Sequence, residues 1–457
     1  MPKTNKAKNK KQVKRAKPYS ALKIVIFLGL LFSIAMVVKS VDLGREENNE
    51  KKPESGLVFE DNVYLKFLFE IYDKVQYNYW EKASDEDLSN LYKAAVEKII
   101  DKKVINGVKN KEEIKKLFNE QTANMKDEEK KAFAVNIAQI VLANLQPFGR
   151  SGLYTEKDEK ALQNTVKNID EGVNLYESLE VPEEATPEEV NEVYHEKKEE
   201  LDEIIKDEEQ PAEVKEEAKE KIAQIDRAYE TLADENKKAV YDESGIESTA
   251  AGRLISPEVF YIQLKKMSPT TFEEFQQAIA DADKGEELDS LILDLRGNVG
   301  GAIDLMQWFL GPFIGLDQYA YEFYHQGEKE PFKTKVGWLP GLVRYKKVVV
   351  LIDNATQSSA EIMAATLKKY NVGVLVGETT RGWGTVERVF NLDTQIDPSE
   401  KYSIFLVHRI TLREDNQPIE GRGVDPTIFI TDPDWKNQLM DYYESKKLVD
   451  AVEKVLE

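Results

Sequence analysis

Two short segments of the chain carry residues that could together perform acyl transfer. One contains SSAE at 358–361, directly after an aliphatic run. A serine at the start of a helix lies among free amides and at the positive end of the helix dipole. The other contains RGNVGG at 296–301, whose adjacent glycines let the backbone approach a ligand closely. Together they offer an oxygen nucleophile and an anion cradle, which a tetrahedral intermediate requires.

Each segment also has a purely structural interpretation. Ser358 could be a helix N-cap, and Gly300 with Gly301 could form a tight turn. The functional interpretation depends on the two segments occurring together. In a parallel sheet both would lie at the carboxyl edge, where open α/β sheets bind ligands.

The elements that must position these segments begin at Arg253. Short aliphatic runs alternate there with helical segments, and the runs read VFYIQL, SLILDL, KVVVLI and VGVLVG. This alternation predicts an α/β core with a mostly parallel sheet over residues 253–440. A C-terminal helix is expected at 441–457.

The residues ahead of this core have a helical pattern. Apolar side chains recur at steps of three and four through 57–171, which predicts an all-α region. Residues 172–247 form a separate, highly charged unit with a break at Gln210-Pro211. Thr186 and Glu189 form a capping box at the start of its first long helix. The pattern predicts an antiparallel helical hairpin.

The segment from Arg253 to about residue 430 resembles the catalytic core of the C-terminal processing, or tail-specific, serine peptidases. The similar motifs are DLRGNVGG (294–301), SSAEI (358–362), VGETTRGWGTVE (376–387) and IEGRGVDPTIFI (419–430), with LANLQPFGRSGLY (142–154) ahead of the core. The resemblance implies a peptidase fold with Ser358 at the nucleophile position. It also implies an oxyanion hole that uses the amide of Gly300 or Gly301 and that of Ser359.

The general base of that family is missing from this sequence. The motif register places Trp383 where the family has its lysine, and Glu387 where it has the glutamine that orients the lysine. An indole offers an N–H donor and no basic lone pair. Arg381 stays protonated and cannot act as a base.

Two other residues are candidates for the base. Lys369 follows Ser358 by eleven residues on the same predicted helix, about 16 Å along its axis, which is out of hydrogen-bonding reach. His408 lies on a predicted core strand, where a structural role is the simpler interpretation.

The helical unit at 172–247 resembles a J domain, and it occupies the place where the peptidase family usually carries a PDZ module. The similar segments are LYESLEV, ATPEEV and IAQIDRAYETLADENKKAVYD. The family's His-Pro-Asp, which contacts the heat-shock ATPase, is replaced by Asp202-Glu203-Ile204 in our register. The resemblance therefore implies a J-like scaffold without that activity, and an unrelated charged hairpin is the alternative.

The amino terminus predicts a membrane anchor. A basic tail at 1–20 precedes an apolar stretch at 21–39 and a polar linker at 40–56. This arrangement is typical of a single-pass signal-anchor with a cytoplasmic N-terminus and an extracytoplasmic body. A cleaved signal peptide is the alternative.

Charge and composition exclude several functional classes. The 457 residues carry a net charge of −21, and the part after residue 41 has 53 cations against 84 carboxylates, a net −31. Such a body repels nucleic acid. The absence of cysteine excludes disulfides and a thiolate zinc site, and only three histidines are present. We therefore expect no metal and no cofactor.

The sequence thus predicts a membrane-anchored, extracytoplasmic pseudopeptidase that binds extended or unfolded protein segments. One alternative is a working serine endopeptidase that uses Ser358 with a different base. Another is a membrane-tethered co-chaperone acting through the J-like unit. The sequence leaves the oligomeric state open.

Overall fold

The computed structural model describes residues 62–104, 107–282, 287–413 and 415–456. The predicted basic tail, transmembrane segment and linker at 1–56 lie outside these residues. Within the described ranges, no helix combines the length and apolarity that crossing a membrane requires.

Four helices open the described chain and pack around a core of their own. They begin at capping side chains, as when Asn62 accepts hydrogen bonds from the amides of Tyr64 and Leu65, and Ser84 forms a capping box with Asp87. The helices are α1 (Val63–Asn78), α2 (Asp85–Ile100), α3 (Lys111–Thr122) and α4 (Asp127–Ala143). Their apolar faces surround buried side chains such as Phe67 and Leu142.

The predicted all-α region also contains a strand, which corrects that prediction. Strand β1 (Gly152–Thr155) precedes α5 (Glu156–Lys167) and joins an antiparallel sheet that the sequence did not reveal. The other strands of this sheet are β5 (Tyr319–His325), β6 (Glu328–Lys333), β9 (Thr385–Asn391) and β10 (Tyr402–Leu412). The long β10 pairs with β1 and β5 on one edge and with β9 on the other. It also carries Ile404 and Leu406 into the core of the four helices.

Residues 172–247 form the predicted helical hairpin with two short flanking helices. The helices are α6 (Leu175–Leu179), α7 (Pro187–Lys206), α8 (Ala212–Leu232) and α9 (Glu235–Ser244). The capping box of Thr186 and Glu189 opens α7, and the rings of Tyr194 and Tyr229 stack across the hairpin at 3.9 Å. The unit is an insertion whose ends meet, since the Glu247 amide donates to the Asn168 carbonyl at 3.1 Å.

The structure corrects our register within the hairpin. Residues 202–204, which we aligned with the His-Pro-Asp loop of J domains, lie inside helix α7. The connection between α7 and α8 is formed by residues 207–211, which read DEEQP. The register was wrong because the first helix is longer than the resemblance implied, and His-Pro-Asp is also absent from the actual loop.

The second half contains the predicted, mostly parallel sheet. Its strands are β2 (Ala250–Ser256), β3 (Val259–Leu264), β4 (Ser290–Asp294), β7 (Lys347–Ile352), β8 (Val374–Gly377) and β11 (Ile428–Phe429). The order is β11-β8-β7-β4-β3-β2, and every neighbouring pair is parallel except β2 with β3. Strands β4 and β7 lie in the middle with almost all of their residues buried, which explains their unbroken aliphatic sequences.

Helices cover both faces of this sheet. One face packs against α10 (Thr271–Ala282), α11 (Met306–Phe309), α12 (Gly311–Ile314) and α13 (Ser359–Lys369). The other packs against α14 (Trp435–Tyr443) and α15 (Lys446–Leu456). The helix predicted at 441–457 is therefore α15 alone, because Glu444 adopts a left-handed conformation that ends α14.

Candidate active site

The two segments singled out in the sequence meet at the carboxyl edge of the parallel sheet. Strands β4 and β7 are direct neighbours, and the segments that follow them are joined by a hydrogen bond from the Gln357 amide to the Asn298 carbonyl, 2.9 Å. Gly300 lies so close to Ser358 that a Cβ on the glycine would be 2.7 Å from the serine Cβ. The structure thus brings the two segments into contact, and only glycine fits at position 300.

Ser358 adopts a strained backbone conformation at this site. Its φ is 57° and its ψ is −126°, directly ahead of helix α13. Such values are costly for a residue with a Cβ, and they occur where the surrounding structure enforces them. Ser358 is half-buried, and its hydroxyl donates no hydrogen bond to any of the described residues. The serine is therefore held in a fixed position with no partner for its proton.

The carboxylate of Glu361 enforces this conformation. It is fully buried, and it accepts hydrogen bonds from the amides of Ser358 (2.8 Å), Gly382 (2.7 Å) and Trp383 (2.8 Å). The Thr380 hydroxyl donates a fourth, at 2.5 Å. Burial raises the pKa of Glu361, while these hydrogen bonds act to lower it. In the sequence this residue is only part of a motif. The structure shows that it joins the serine turn (residues 358–361) to the segment carrying Trp383.

The amides expected to form an oxyanion hole are not equivalent. The Gly300 amide donates to the Asn298 side-chain oxygen at 2.8 Å, so it is already occupied. The amides of Gly301 and Ser359 donate no hydrogen bond within the part of the chain that the structure describes. Of the three residues, Gly301 and Ser359 keep amides that could bind a ligand oxygen.

Trp383 is covered by a residue that the sequence gave no reason to select. The Arg150 guanidinium lies 3.5 Å from the centre of the indole ring. It donates hydrogen bonds to the Thr385 hydroxyl and to a Glu420 carboxylate oxygen, both at 2.9 Å. The indole N–H donates to Glu387 at 3.3 Å. Arg150 precedes strand β1, more than 200 residues before Trp383 in the sequence, so only the tertiary structure reveals the contact.

Comparison with known proteins identifies the fold around this site. The model of Peptidase family S41 matches residues 258–430. This range contains both the glycine turn (residues 296–301) and the serine turn. Residues 258–430 are therefore similar to peptidase family S41.

Two curated relatives are the carboxy-terminal processing proteases CtpB and CtpA of Bacillus subtilis. CtpB is 29% identical over 181 residues, which cover 39% of this chain and 35% of CtpB. CtpA is 32% identical over 182 residues, which cover 38% of this chain and 35% of CtpA. The chain thus matches about a third of the length of each relative. Among solved structures, a photosystem II D1 C-terminal processing protease matches with a TM-score of 0.35, at 18% identity, over 40% of this chain and 48% of that one.

The two alternative bases that the sequence suggests, Lys369 and His408, do not reach Ser358. The Lys369 ammonium donates to the Tyr319 carbonyl at 3.2 Å and lies over the Tyr370 ring. The His408 ring bonds the Asn78 carbonyl at 2.7 Å and packs on His325. Burial lowers the pKa of His408 to about 4. This imidazole belongs to the contact between β10 and helix α1.

One lysine near the glycine turn has the environment of a potential base. Lys266 is half-buried, and burial lowers the pKa of its amine, with Glu247 acting in the opposite sense. Its neighbour Met267 is bonded to the glycine turn, because the Met267 amide donates to the Gly300 carbonyl at 3.0 Å. The Lys266 ammonium forms no hydrogen bond or ion pair with the described residues. A lysine next to a strand end was not recognised from the sequence, since nothing in its spacing marks it.

A groove lies along helix α13. It has a volume of about 510 Å³ and runs between that helix and strands β5 and β10, with Tyr319, Ile362 and Thr411 among its lining residues. Ile362 lies one helical turn after Ser358. No cluster of three or more His, Asp or Glu side chains suited to a metal ion occurs in the described ranges.

Proposed function

We propose that this protein is a membrane-tethered, extracytoplasmic member of the S41 fold that binds extended protein segments without cleaving them. The observation that carries the proposal is that the Ser358 hydroxyl has no hydrogen-bonded base. Trp383 stands at the register position of the family's lysine, and the Arg150 guanidinium covers its ring. A serine hydroxyl is a poor nucleophile at neutral pH without a base. Removing one member of a serine–base pair lowers turnover by about 10⁶ in a well-studied protease.

The remaining features support binding. The free amides of Gly301 and Ser359 offer donors beside Ser358, and the groove along α13 offers about 510 Å³ for side chains. Its exposed Tyr319 provides an aromatic surface of the kind enriched at protein-binding sites. We infer that the segment at 21–39 tethers this groove to the membrane and that the helical insertion serves as a J-like scaffold beside it.

A working peptidase is the second candidate, and Lys266 is the observation that favours it. A half-buried lysine with a lowered pKa can exist as the free amine and accept a proton. The strained backbone of Ser358 is also typical of an activated position. In this candidate, Lys266 lies at the end of a different strand and takes the general-base role of the family's missing lysine. The co-chaperone candidate has no comparable support, since the loop at 207–211 lacks His-Pro-Asp.

A cleavage assay separates these two candidates. The full chain in detergent is incubated with an unfolded fluorescent protein substrate, beside its Ser358→Ala and Lys266→Met variants. The pseudopeptidase proposal expects no cleavage by any of the three proteins. Cleavage that disappears in both variants would establish the peptidase with Lys266 as its base; cleavage lost in Ser358→Ala but kept in Lys266→Met would point to some other base.

Binding is measured separately from cleavage. Fluorescence anisotropy of the same unfolded substrate should show binding to the parent chain and to Ser358→Ala alike. The substitution Tyr319→Ala removes an exposed ring from the groove and should weaken binding by about tenfold. Tyr442→Ala is the matched control, because Tyr442 is similarly exposed but does not line the groove. Equal effects of the two substitutions would contradict binding in this groove.

A further inference from the structure

The most exposed apolar side chains of the S41 domain collect at the segment 333–347, between strands β6 and β7. Within it, Trp338 is 63% exposed and Val343 is 68% exposed. Leu316, from the preceding turn, is 59% exposed and adjoins the segment, since a Cβ on Gly337 would lie 3.9 Å from the Leu316 Cβ. Large apolar side chains grouped at the surface mark an interaction site more often than single exposed ones do.

Backbone hydrogen bonds hold this segment in place. The Lys335 amide donates to the Gln307 carbonyl at 2.8 Å, and the Leu339 amide donates to the Pro312 carbonyl at 3.3 Å. Trp338 and Val343 border a cleft of about 530 Å³ that reaches Tyr370 at the end of α13. Because the segment is fixed to the domain at several points, its apolar side chains are directed outward by the fold itself.

The charge of the segment is opposite to that of the protein. Residues 333–347 contain five cations and no carboxylate, whereas the part of the chain after residue 41 carries a net −31, from 53 cations and 84 carboxylates. Asp317 and Asp289, from outside the segment, pair with Lys333 and Lys347. Lys335 and Lys346 are exposed and make no ion pair with the described residues.

We propose that this face, formed by residues 333–347 and Leu316, docks on the surface of an anionic lipid bilayer. Tryptophan is enriched at the membrane–water interface, and lysines beside apolar side chains bind anionic headgroups. A protein partner would need an acidic surface of its own, whereas an anionic bilayer provides both the negative charge and the apolar layer beneath it. The net negative charge of the rest of the chain leaves this face as the favourable one to present to such a surface.

The inference rests on the proposed membrane tether, which keeps the bilayer within reach. The 22 residues between the segment 21–39 and Asn62 can span at most about 75 Å. Docking would place Tyr370, at the carboxyl end of α13, next to the lipid and Ser358 roughly 18 Å further along the helix. The groove would then open close to the membrane surface.

Tryptophan quenching by brominated lipids tests docking. The full chain is reconstituted in nanodiscs that contain brominated phosphatidylglycerol or brominated phosphatidylcholine. All five tryptophans lie in the described part of the chain and none in 21–39, so quenching reports on the body alone. We expect quenching in the anionic discs, with roughly half of it lost in Trp338→Phe. Trp435→Phe, at a partly buried position on α14, is the control and should change it little.

Charge reversal tests the electrostatic part. The double variant Lys335→Glu/Lys346→Glu should weaken docking by about tenfold, and salt at about 0.5 M should weaken it in the parent chain. The double variant Lys157→Glu/Lys401→Glu reverses two exposed lysines elsewhere and should leave docking unchanged. Equal losses in the two double variants would contradict docking through this face.

Co-elution with the discs distinguishes the two proposals. Co-elution without quenching, or quenching unaffected by Trp338→Phe, would overturn docking and leave the tether intact. Quenching at low salt, together with loss of co-elution in high salt, would support docking and overturn the tether. If Trp338 is instead shielded by a second copy, sedimentation would show a dimer that Trp338→Phe dissociates, and docking on lipid would be wrong.

Discussion

Restoring a lysine at position 383 should be insufficient to create an active peptidase, because Glu387 would keep that lysine protonated. The indole N–H of Trp383 lies 3.3 Å from a Glu387 oxygen, so an ammonium on the same backbone position would approach this carboxylate closely. Two unit charges 4 Å apart attract by about 4 kcal/mol at an effective dielectric constant of 20. Halving this value for the half-buried site leaves roughly 2 kcal/mol.

This attraction translates into a loss of free amine. Since one pKa unit corresponds to about 1.36 kcal/mol, 2 kcal/mol raises the lysine pKa by about 1.5 units. The fraction of free amine at pH 8 then falls by roughly thirtyfold relative to a lysine beside a neutral glutamine. We therefore expect Trp383→Lys/Glu387→Gln to cleave an unfolded protein about thirty times faster than Trp383→Lys.

The assay follows release of fluorescent fragments under single-turnover conditions, with equal folded content confirmed by circular dichroism. Adding Ser358→Ala to the double variant is the control, and it should abolish cleavage. Equal rates for the single and double variants would refute the inference that Glu387 controls protonation at this position. Cleavage by Trp383→Lys that survives Ser358→Ala would show a nucleophile other than Ser358.

Three further predictions concern stability and are measured by urea unfolding. Arg150→Ala removes the cation over Trp383 and leaves Glu420 without its ion pair, so the free energy of unfolding should fall by about 2 kcal/mol; Arg388→Ala, at an exposed position of β9, is the control and should change it by less than about 0.5 kcal/mol. The pKa of His408 is lowered to about 4 in the folded state, so the folded state resists protonation of this imidazole. The neutral imidazole therefore contributes its full stabilisation above about pH 6.5, and this stabilisation is lost as the pH falls. Stability should therefore drop by about 3 kcal/mol toward pH 4 in the parent chain, and this component should be missing in His408→Gln. Gly300→Ala places a Cβ 2.7 Å from that of Ser358 and should cost roughly 2 kcal/mol while weakening substrate binding. Gly297→Ala, with a similar positive φ and nothing within 4 Å, should cost about 1 kcal/mol and leave binding intact; a larger loss of binding in this control would contradict the role of the glycine turn.

The parallel sheet could be predicted because its central strands are buried on both faces. The run KVVVLI of β7 has no polar alternation, and the strands that follow the same pattern assembled as expected. The antiparallel sheet had no comparable signal. Strand β1 has four residues, and its partners in β10 are about 250 residues later, with Gly152 opposite Phe405. Pairing over such a distance depends on tertiary structure.

The site was predictable where single segments determine it. Ser358 and Gly300 could be placed together because each follows a strand of the same parallel sheet. The Arg150–Trp383 contact and the occupied Gly300 amide could not be predicted, because each depends on the position of a side chain from a different part of the chain or turn. Glu361 is part of the SSAE segment that the sequence singles out. Its four hydrogen bonds could not be predicted, because they require the neighbouring segment to be folded against it.

The meeting of the insertion's ends has a consequence for how the chain could change over time. Asn168 and Glu247 are joined by a backbone hydrogen bond. The two ends of the insertion therefore lie as close together as the ends of a short loop, whatever the length of the insertion. Closing a longer connection adds little entropic penalty, about 0.6 kcal/mol for each doubling. One compact module can therefore replace another at this position without disturbing the sheet or the serine turn. A changed insertion can bring new surface contacts while the geometry around Ser358 stays the same.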